Sequence, residues 1–135
     1  MSMISIDYRD RKLIYEQLMD SVKQLILRGD LKKDDFLPSV RSLARELGIN
    51  PNTIQKAYNE LEHQGIIATL PGRGSVVTQD AESIADAGKR ALRTELLPIA
   101  ERALSLGMSM REFTDMAAEC WRAGTERTGK ERETI

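Results

Sequence analysis

Asn50, Asn52, Thr53, Gln55, Lys56 and Asn59 crowd into one short stretch of the chain. Their side chains donate and accept hydrogen bonds but supply no strong nucleophile or general base, so the chemistry on offer is recognition rather than bond cleavage. An amide matches the paired donor and acceptor on an adenine edge in a DNA major groove, and a hydroxyl serves either role. Ile54, Ala57, Tyr58 and Leu61 are interleaved at spacings of three and four. A helix would bury those four and turn Asn52, Gln55, Lys56 and Asn59 outward, with Asn50 and Thr53 at its N-terminal end. Asn52 and Gln55 are the expected base readers. A polar helix face standing alone would be read as merely solvated, and it is the neighbouring sequence that gives this one a docking context.

Cations flank the stretch. Between Ser39 and Lys56 the charges are Arg41, Arg45 and Lys56 against Glu46 alone, a small cationic surface in a chain of 20 basic and 21 acidic residues. Arg41 and Arg45 lie four apart, so they share a face separate from the apolar positions Val40, Leu43, Ala44 and Leu47. A cation near a helix start gains nothing from the helix dipole, which points to a functional reason for Arg41. Arg45 is equally open to an ion pair with Glu46 or an acid such as Asp20. Ser39 offers a hydroxyl beside first-turn N–H groups that suit a phosphate, and helix capping explains it as well. Pro71-Gly72-Arg73-Gly74 sets one cation between two glycines, where the backbone can turn tightly and approach a nucleic-acid strand. It lies between strands and precedes no helix, so it is not a nucleotide-binding glycine motif.

Catalysis lacks material. Cys120 is the only cysteine and His63 the only histidine, so neither an intramolecular disulfide nor a thiolate or imidazole metal cage can be built within one chain. His63 falls at a helix end, where capping accounts for it, and Cys120 next to Trp121 is expected to be a packed thiol. No cofactor and no metal is expected. At 135 residues, 41% hydrophobic and 30% charged, the chain should form one soluble domain with a small appendage. Asp7, Arg9, Asp10, Arg11 and Lys12 precede any apolar run, so neither export nor a membrane span is expected and the setting is cytoplasmic.

These side chains need elements to position them. Ile14, Leu18, Val22, Leu25 and Ile26 line one face of a first helix over 13–28 that Gly29 ends. After a polar connector, Ser39 caps a second helix that stops at Gly48. Asn50 then caps a third with Pro51 at its first position. Only Gly48 and Ile49 separate the second helix from that cap, which makes a helix-turn-helix. Ile66–Leu70 and Ser75–Thr78 read as strands of a hairpin. Three helices followed by such a wing give a winged helix-turn-helix ending near Thr78. Beyond it the pattern is helical, with a kink or break expected at Leu96–Pro98, because an interior proline costs about 3 kcal/mol. Ser109-Met110-Arg111-Glu112 has the spacing of a capping box and launches a last helix that Gly124 should end. The polar remainder, 125–135, is expected to be a disordered tail.

The runs Leu37-Pro38-Ser39-Val40-Arg41-Ser42-Leu43-Ala44, Asn50-Pro51-Asn52-Thr53-Ile54-Gln55-Lys56-Ala57-Tyr58, Leu61-Glu62-His63-Gln64-Gly65-Ile66-Ile67 and Gly72-Arg73-Gly74-Ser75 together resemble the DNA-binding domain of GntR-family bacterial regulators. The resemblance implies DNA contacts at Ser39, Arg41, Asn50, Asn52, Thr53, Gln55 and Lys56, with Gly72 and Arg73 at the wing. Pro51 stands where some relatives carry a base-contacting arginine, so that contact is absent. The connector Lys32-Lys33-Asp34-Asp35 lacks the Pro-Gly turn common in the family. The second region is too short for the large effector-binding or aminotransferase-like domains of most branches, and it resembles the short YtrA-type branch. That branch carries a C-terminal helix pair used for dimerisation and often controls transporter genes.

The residues agree independently, since two amphipathic helices enclose no core and need an outside apolar surface. Leu92, Leu96, Ile99, Leu106, Phe113, Met116 and Trp121 are the candidates for core or partner subunit. The expectation is thus a mainly α (α+β) chain with a winged helix-turn-helix over 1–78, a helical dimerisation region over 79–124 and the tail. Its partners would be a second copy and double-stranded DNA with a palindromic operator, and its role that of a transcriptional repressor. A small-molecule effector near Met108, Met110 and Trp121 is a further expectation. The competing reading is a winged-helix protein-interaction adaptor without operator binding, which would lack the steep salt dependence of DNA association.

Overall fold

The computed structural model describes residues 4–129 and contains, in chain order, α1 (Ile14–Leu27), α2 (Val40–Leu47), α3 (Pro51–His63), β1 (Ile67–Leu70), β2 (Gly74–Val77), α4 (Ala81–Ser105) and α5 (Met110–Thr128). It divides into two compact units, one through Lys89 and one from Arg90. No helix among the described residues is long and apolar enough to cross a membrane.

Local chemistry explains the boundaries of the first unit. The Ser39 hydroxyl accepts the Ser42 N–H at 3.0 Å and starts α2. Gly48, at φ 66°, ends it in the left-handed conformation that glycine takes at least cost. The Asn50 side chain accepts the Asn52 N–H at 2.9 Å, and Pro51 opens α3 where its missing N–H is not needed. The turn between the two helices is therefore as short as the sequence implies.

Leu18, Val22, Leu25 and Ile26 of α1, Leu43 and Ala44 of α2, and Ile54, Ala57, Tyr58 and Leu61 of α3 share one core with Ile67 and Val77 of the hairpin. Ile84, in the first turns of α4, closes onto the same core, as does Ile4 from the N-terminal segment. The Tyr58 hydroxyl donates to the Pro38 carbonyl at 2.7 Å, tying α3 to the residue before the α2 cap, and burial raises its pKa. The phenol therefore stays a neutral donor.

β1 and β2 pair antiparallel with Ile67 opposite Val77 and Leu70 opposite Gly74. A third segment joins them, from the polar connector between α1 and α2. Phe36 bridges to Val76, the Leu37 N–H donates to the Ser75 carbonyl, and the Asp34 N–H and Asp35 carbonyl both bond Val77. Asp34 takes φ 76°, the left-handed turn that a glycine would make more cheaply, and the Lys32 N–H donates to the Asp35 carboxylate at 2.9 Å.

In the second half the helices run further than the sequence predicts. α4 continues through Pro98 without a break. Leu96, Leu97, Pro98 and Ile99 are all exposed, and the proline ring leaves the Thr94 carbonyl without its usual helical N–H partner. α5 likewise passes Gly124 and stops at Thr128, with Gly129 as its left-handed cap. An interior glycine costs only about 1 kcal/mol, and the helix beyond it is continuous: the Thr125 hydroxyl donates to the Arg122 carbonyl and the Thr128 hydroxyl to that of Gly124. Residues 125–128 are thus helical and not a disordered tail, and 130–135 lie outside the described residues. The capping box is present in full, Ser109 Oγ accepting the Glu112 N–H at 3.1 Å and Glu112 Oε1 accepting the Ser109 N–H at 3.2 Å.

Candidate nucleic-acid interface

Burial of Ile54, Ala57, Tyr58 and Leu61 leaves the other side of α3 to solvent. Asn52, Gln55, Lys56 and Asn59 are all exposed there, at spacings of three and four that place them on one face. Gln55 Nε2 donates to Asn59 Oδ1 at 2.9 Å, so these two amides orient each other. Asn50 is exposed but its side chain is engaged as the cap, and Thr53 is half-buried at the margin of the face. The structure thus brings Asn52, Gln55 and Lys56 together most directly, with Asn50 and Thr53 at their N-terminal edge.

Lys56 does not project freely. Its ammonium lies 4.1 Å from the centroid of the Tyr15 ring, which comes from the first turn of α1. A cation over an aromatic face at that distance is attracted by the ring quadrupole. Arg41 and Arg45 are exposed on α2, and no ion pair between described residues involves either. Ser39 is exposed at the start of the same helix with its oxygen on the Ser42 N–H.

At the wing, Gly72 and Gly74 take φ 75° and 109°, and the Arg73 N–H closes the turn on the Leu70 carbonyl at 2.9 Å. A side chain at either position would be strained. Arg73 is exposed, with its guanidinium carbon 5.7 Å from the Phe36 ring centroid. The wing is fastened to α3 by the Thr69 hydroxyl, which donates to Glu62 Oε1 at 2.6 Å, and to the loop after α3 by the Thr78 hydroxyl and Gln79 amide, both donating to the Gly65 carbonyl. Tyr15 and Phe36 were missed by sequence reasoning. An aromatic residue one position off an apolar stripe carries no signal until the partner cation is located.

In the second unit, Leu92, Leu96, Ile99, Leu106, Met116 and Trp121 are all exposed, Leu106 at 77% and Trp121 at 69%, and Phe113 is half-buried. Leu97, Leu104 and Met110 are exposed as well, and these three were not foreseen as interface candidates. Two open apolar grooves lie between α4 and α5. Arg93, Thr94, Leu96, Leu97, Ala100 and Phe113 line one of about 470 Å³. Met108 and Met110 line the other, of about 270 Å³, together with Leu104 and Phe113, and Trp121 is not among its lining residues. Cys120 is exposed and not packed, because no described residue of α5 is buried. His63 is exposed at the last turn of α3. Among the described residues no group of three or more His, Cys, Asp or Glu is placed to hold a metal ion.

Comparison with known proteins agrees with this geometry. Residues 14–77 match the family described as bacterial regulatory proteins, gntR family. The chain is 47% identical to the HTH-type transcriptional repressor YtrA of Bacillus subtilis over 70% of its own length and 73% of that protein's. Among solved structures, a transcriptional regulator from Oenococcus oeni superposes with a TM-score of 0.67 at 30% identity, covering 90% of this chain and 99% of that one. YtrA from Sulfolobus acidocaldarius, a GntR-family transcription factor, superposes with a TM-score of 0.61 at 38% identity over 77% of this chain and 99% of that one. With a winged helix-turn-helix spanning the matched residues and a short helical region following it, the chain belongs to the GntR family of bacterial DNA-binding transcription regulators, in its YtrA-type branch.

Proposed function

We propose that the chain represses transcription as a homodimer on a palindromic operator, each subunit placing α3 in the major groove of one half-site. Half-sites would lie about one helical turn apart, or a multiple of it. The observation that carries this reading is the exposed face of Asn52, Gln55, Lys56 and Asn59, set directly after a two-residue turn from α2 with its exposed Arg41 and Arg45. Amides read base edges and guanidinium groups grip phosphate or guanine. Arg73 between two glycines suits the backbone or minor groove beside the half-site. Repression is supported by the description of the Bacillus subtilis relative as a repressor.

Residues 1–78 form the DNA-binding part of this reading, and 79–124, extended by the observed helix to Thr128, the dimerisation part. Leu92, Leu96, Ile99, Leu106, Phe113, Met116 and Trp121 would meet the partner subunit, where they leave water at about 25 cal/mol for each Å² of apolar surface buried. The setting is the cytoplasm, the regulated genes are those of a transporter operon, and the chemistry is binding alone, with no catalytic step.

Selecting bound fragments from the source genome, with light scattering on the purified chain, tests both halves. Inverted repeats and a mass of two subunits are expected. A single subunit indifferent to every duplex at low ionic strength would refute the reading. Arg41→Ala should cost about 1–3 kcal/mol of operator affinity if the side chain reads a base, and should weaken all duplexes alike if it grips phosphate. Competition of the selected site against random DNA over a salt series separates the two.

A further inference from the structure

Among the described residues, a neighbouring helix holds the Lys56 side chain of the α3 recognition face. Its ammonium sits 4.1 Å from the Tyr15 ring centroid, and the ring is itself half-buried and packed against the hydrophobic core. The ring is therefore not free to follow the lysine; the lysine is held where the ring is. No ion pair between described residues involves Lys56. Resting on the reading of the first unit as a DNA-binding module, we propose that Tyr15 is a positioning residue for DNA: its ring holds the Lys56 ammonium at the α1 edge of the recognition face, where it meets the phosphate backbone beside the base-reading amides.

Several physical features support this. A free lysine samples many rotamers and must lose that freedom on binding, whereas a lysine already laid over a ring has lost part of it in advance. Attraction to the ring face uses no N–H bond, so the ammonium keeps its hydrogen-bonding capacity for a phosphate oxygen on the side away from the ring. Two other side chains of the face, Gln55 and Asn59, are ordered in the same sense by the 2.9 Å bond between them. The wing repeats the device, with Arg73 over Phe36 at 5.7 Å. In both cases the ring comes from outside the helix-turn-helix, from α1 and from the segment paired to the wing.

The test uses the full-length chain and a fluorescent pool of random-sequence duplexes, with anisotropy measured across a salt series. Tyr15→Leu should weaken binding about three- to tenfold at low salt. It should also make the slope of log affinity against log salt shallower by up to about 1, the signature of a lost phosphate contact. Tyr15→Phe, which keeps the ring, should behave as the parent. In a Lys56→Met background Tyr15→Leu should add nothing, because its effect passes through the lysine. Binding by Tyr15→Leu with parental affinity and slope, or an equal loss with and without Lys56, would overturn the proposal. Should Tyr15→Leu fail to fold, proton NMR of the parent decides: ring-current displacement of the Lys56 side-chain protons should persist when duplex is added, and its disappearance would show that the lysine leaves the ring to bind. A parent that ignores all duplexes would refute DNA binding itself and this proposal with it.

Discussion

The two compact units of this chain solve opposite problems. In the first, thirteen-residue α3 buries Ile54, Ala57, Tyr58 and Leu61 within the chain and shows amides to the outside. In the second, α5 buries no described residue, and Leu106 and Trp121 stand more than two-thirds exposed. A surface whose apolar residues are satisfied internally is free to carry polar chemistry for a polar partner. Exposed apolar patches, in contrast, suit an apolar partner, which is what the proposed dimer would supply. The first unit therefore buries its apolar residues within itself, while the second leaves many of its own exposed.

The contrast breaks most visibly in the core. Leu61 is fully buried against its neighbours, so Leu61→Ala should cost about 2–5 kcal/mol of stability, read by urea denaturation of the first unit's transition. A loss below about 1 kcal/mol would mean that the first unit is not the closed core described. Leu92→Glu combined with Leu106→Glu should leave that transition in place while reducing the sedimenting species to one subunit. Charges on a desolvated apolar contact cost several kcal/mol, whereas on a free surface they cost nothing measurable. An unchanged assembly would locate the contact elsewhere.

Smaller effects sharpen the picture at the joints of the first unit. Asp34 sits at φ 76°, and Asp34→Gly relieves a left-handed backbone while loosening the unfolded chain. The net gain should be up to about 1 kcal/mol by thermal unfolding, and a loss would show that the aspartate side chain contributes more than its backbone costs. Weakest is the start of α4, where the Asp80 carboxylate accepts the Ser83 N–H at 2.8 Å and that bond holds its pKa below the ordinary value. A depressed folded pKa means stability that is present above the ordinary carboxylate range and lost as pH falls through the folded value. Asp80→Asn keeps a cap without a titrating group, so between about pH 5 and 2 the parent should lose more stability than the variant. Parallel acid unfolding curves would contradict this.

Ser39, Gly48, Asn50 and Pro51 were legible because caps and stops act over three or four residues, and the hydrogen bonds they promise are made by the nearest backbone. The outward face of α3 was legible for the same reason, periodicity being local. Gly124 misled because an interior glycine costs only about 1 kcal/mol, and at Pro98 the helix continues on both sides of the one backbone bond that the ring removes. Phe36, Tyr15 and Ile4 could not be placed from spacing at all. Each acts through a residue far along the chain: Val76 and Arg73 for Phe36, Lys56 for Tyr15, and the shared core for Ile4.

By itself the amino-acid order determined which segments coil, where they stop and which of their faces is apolar, because backbone hydrogen bonding and side-chain period are settled among near neighbours. Only the folded chain decided that a polar connector becomes a strand partner of the wing, that two aromatic rings lie under Lys56 and Arg73, and that Leu92, Leu96, Leu97 and Leu104 of α4 and Trp121 of α5 stay exposed. Those outcomes depend on which surfaces are left over once the first core has closed, and that depends on distances between residues that no local pattern contains.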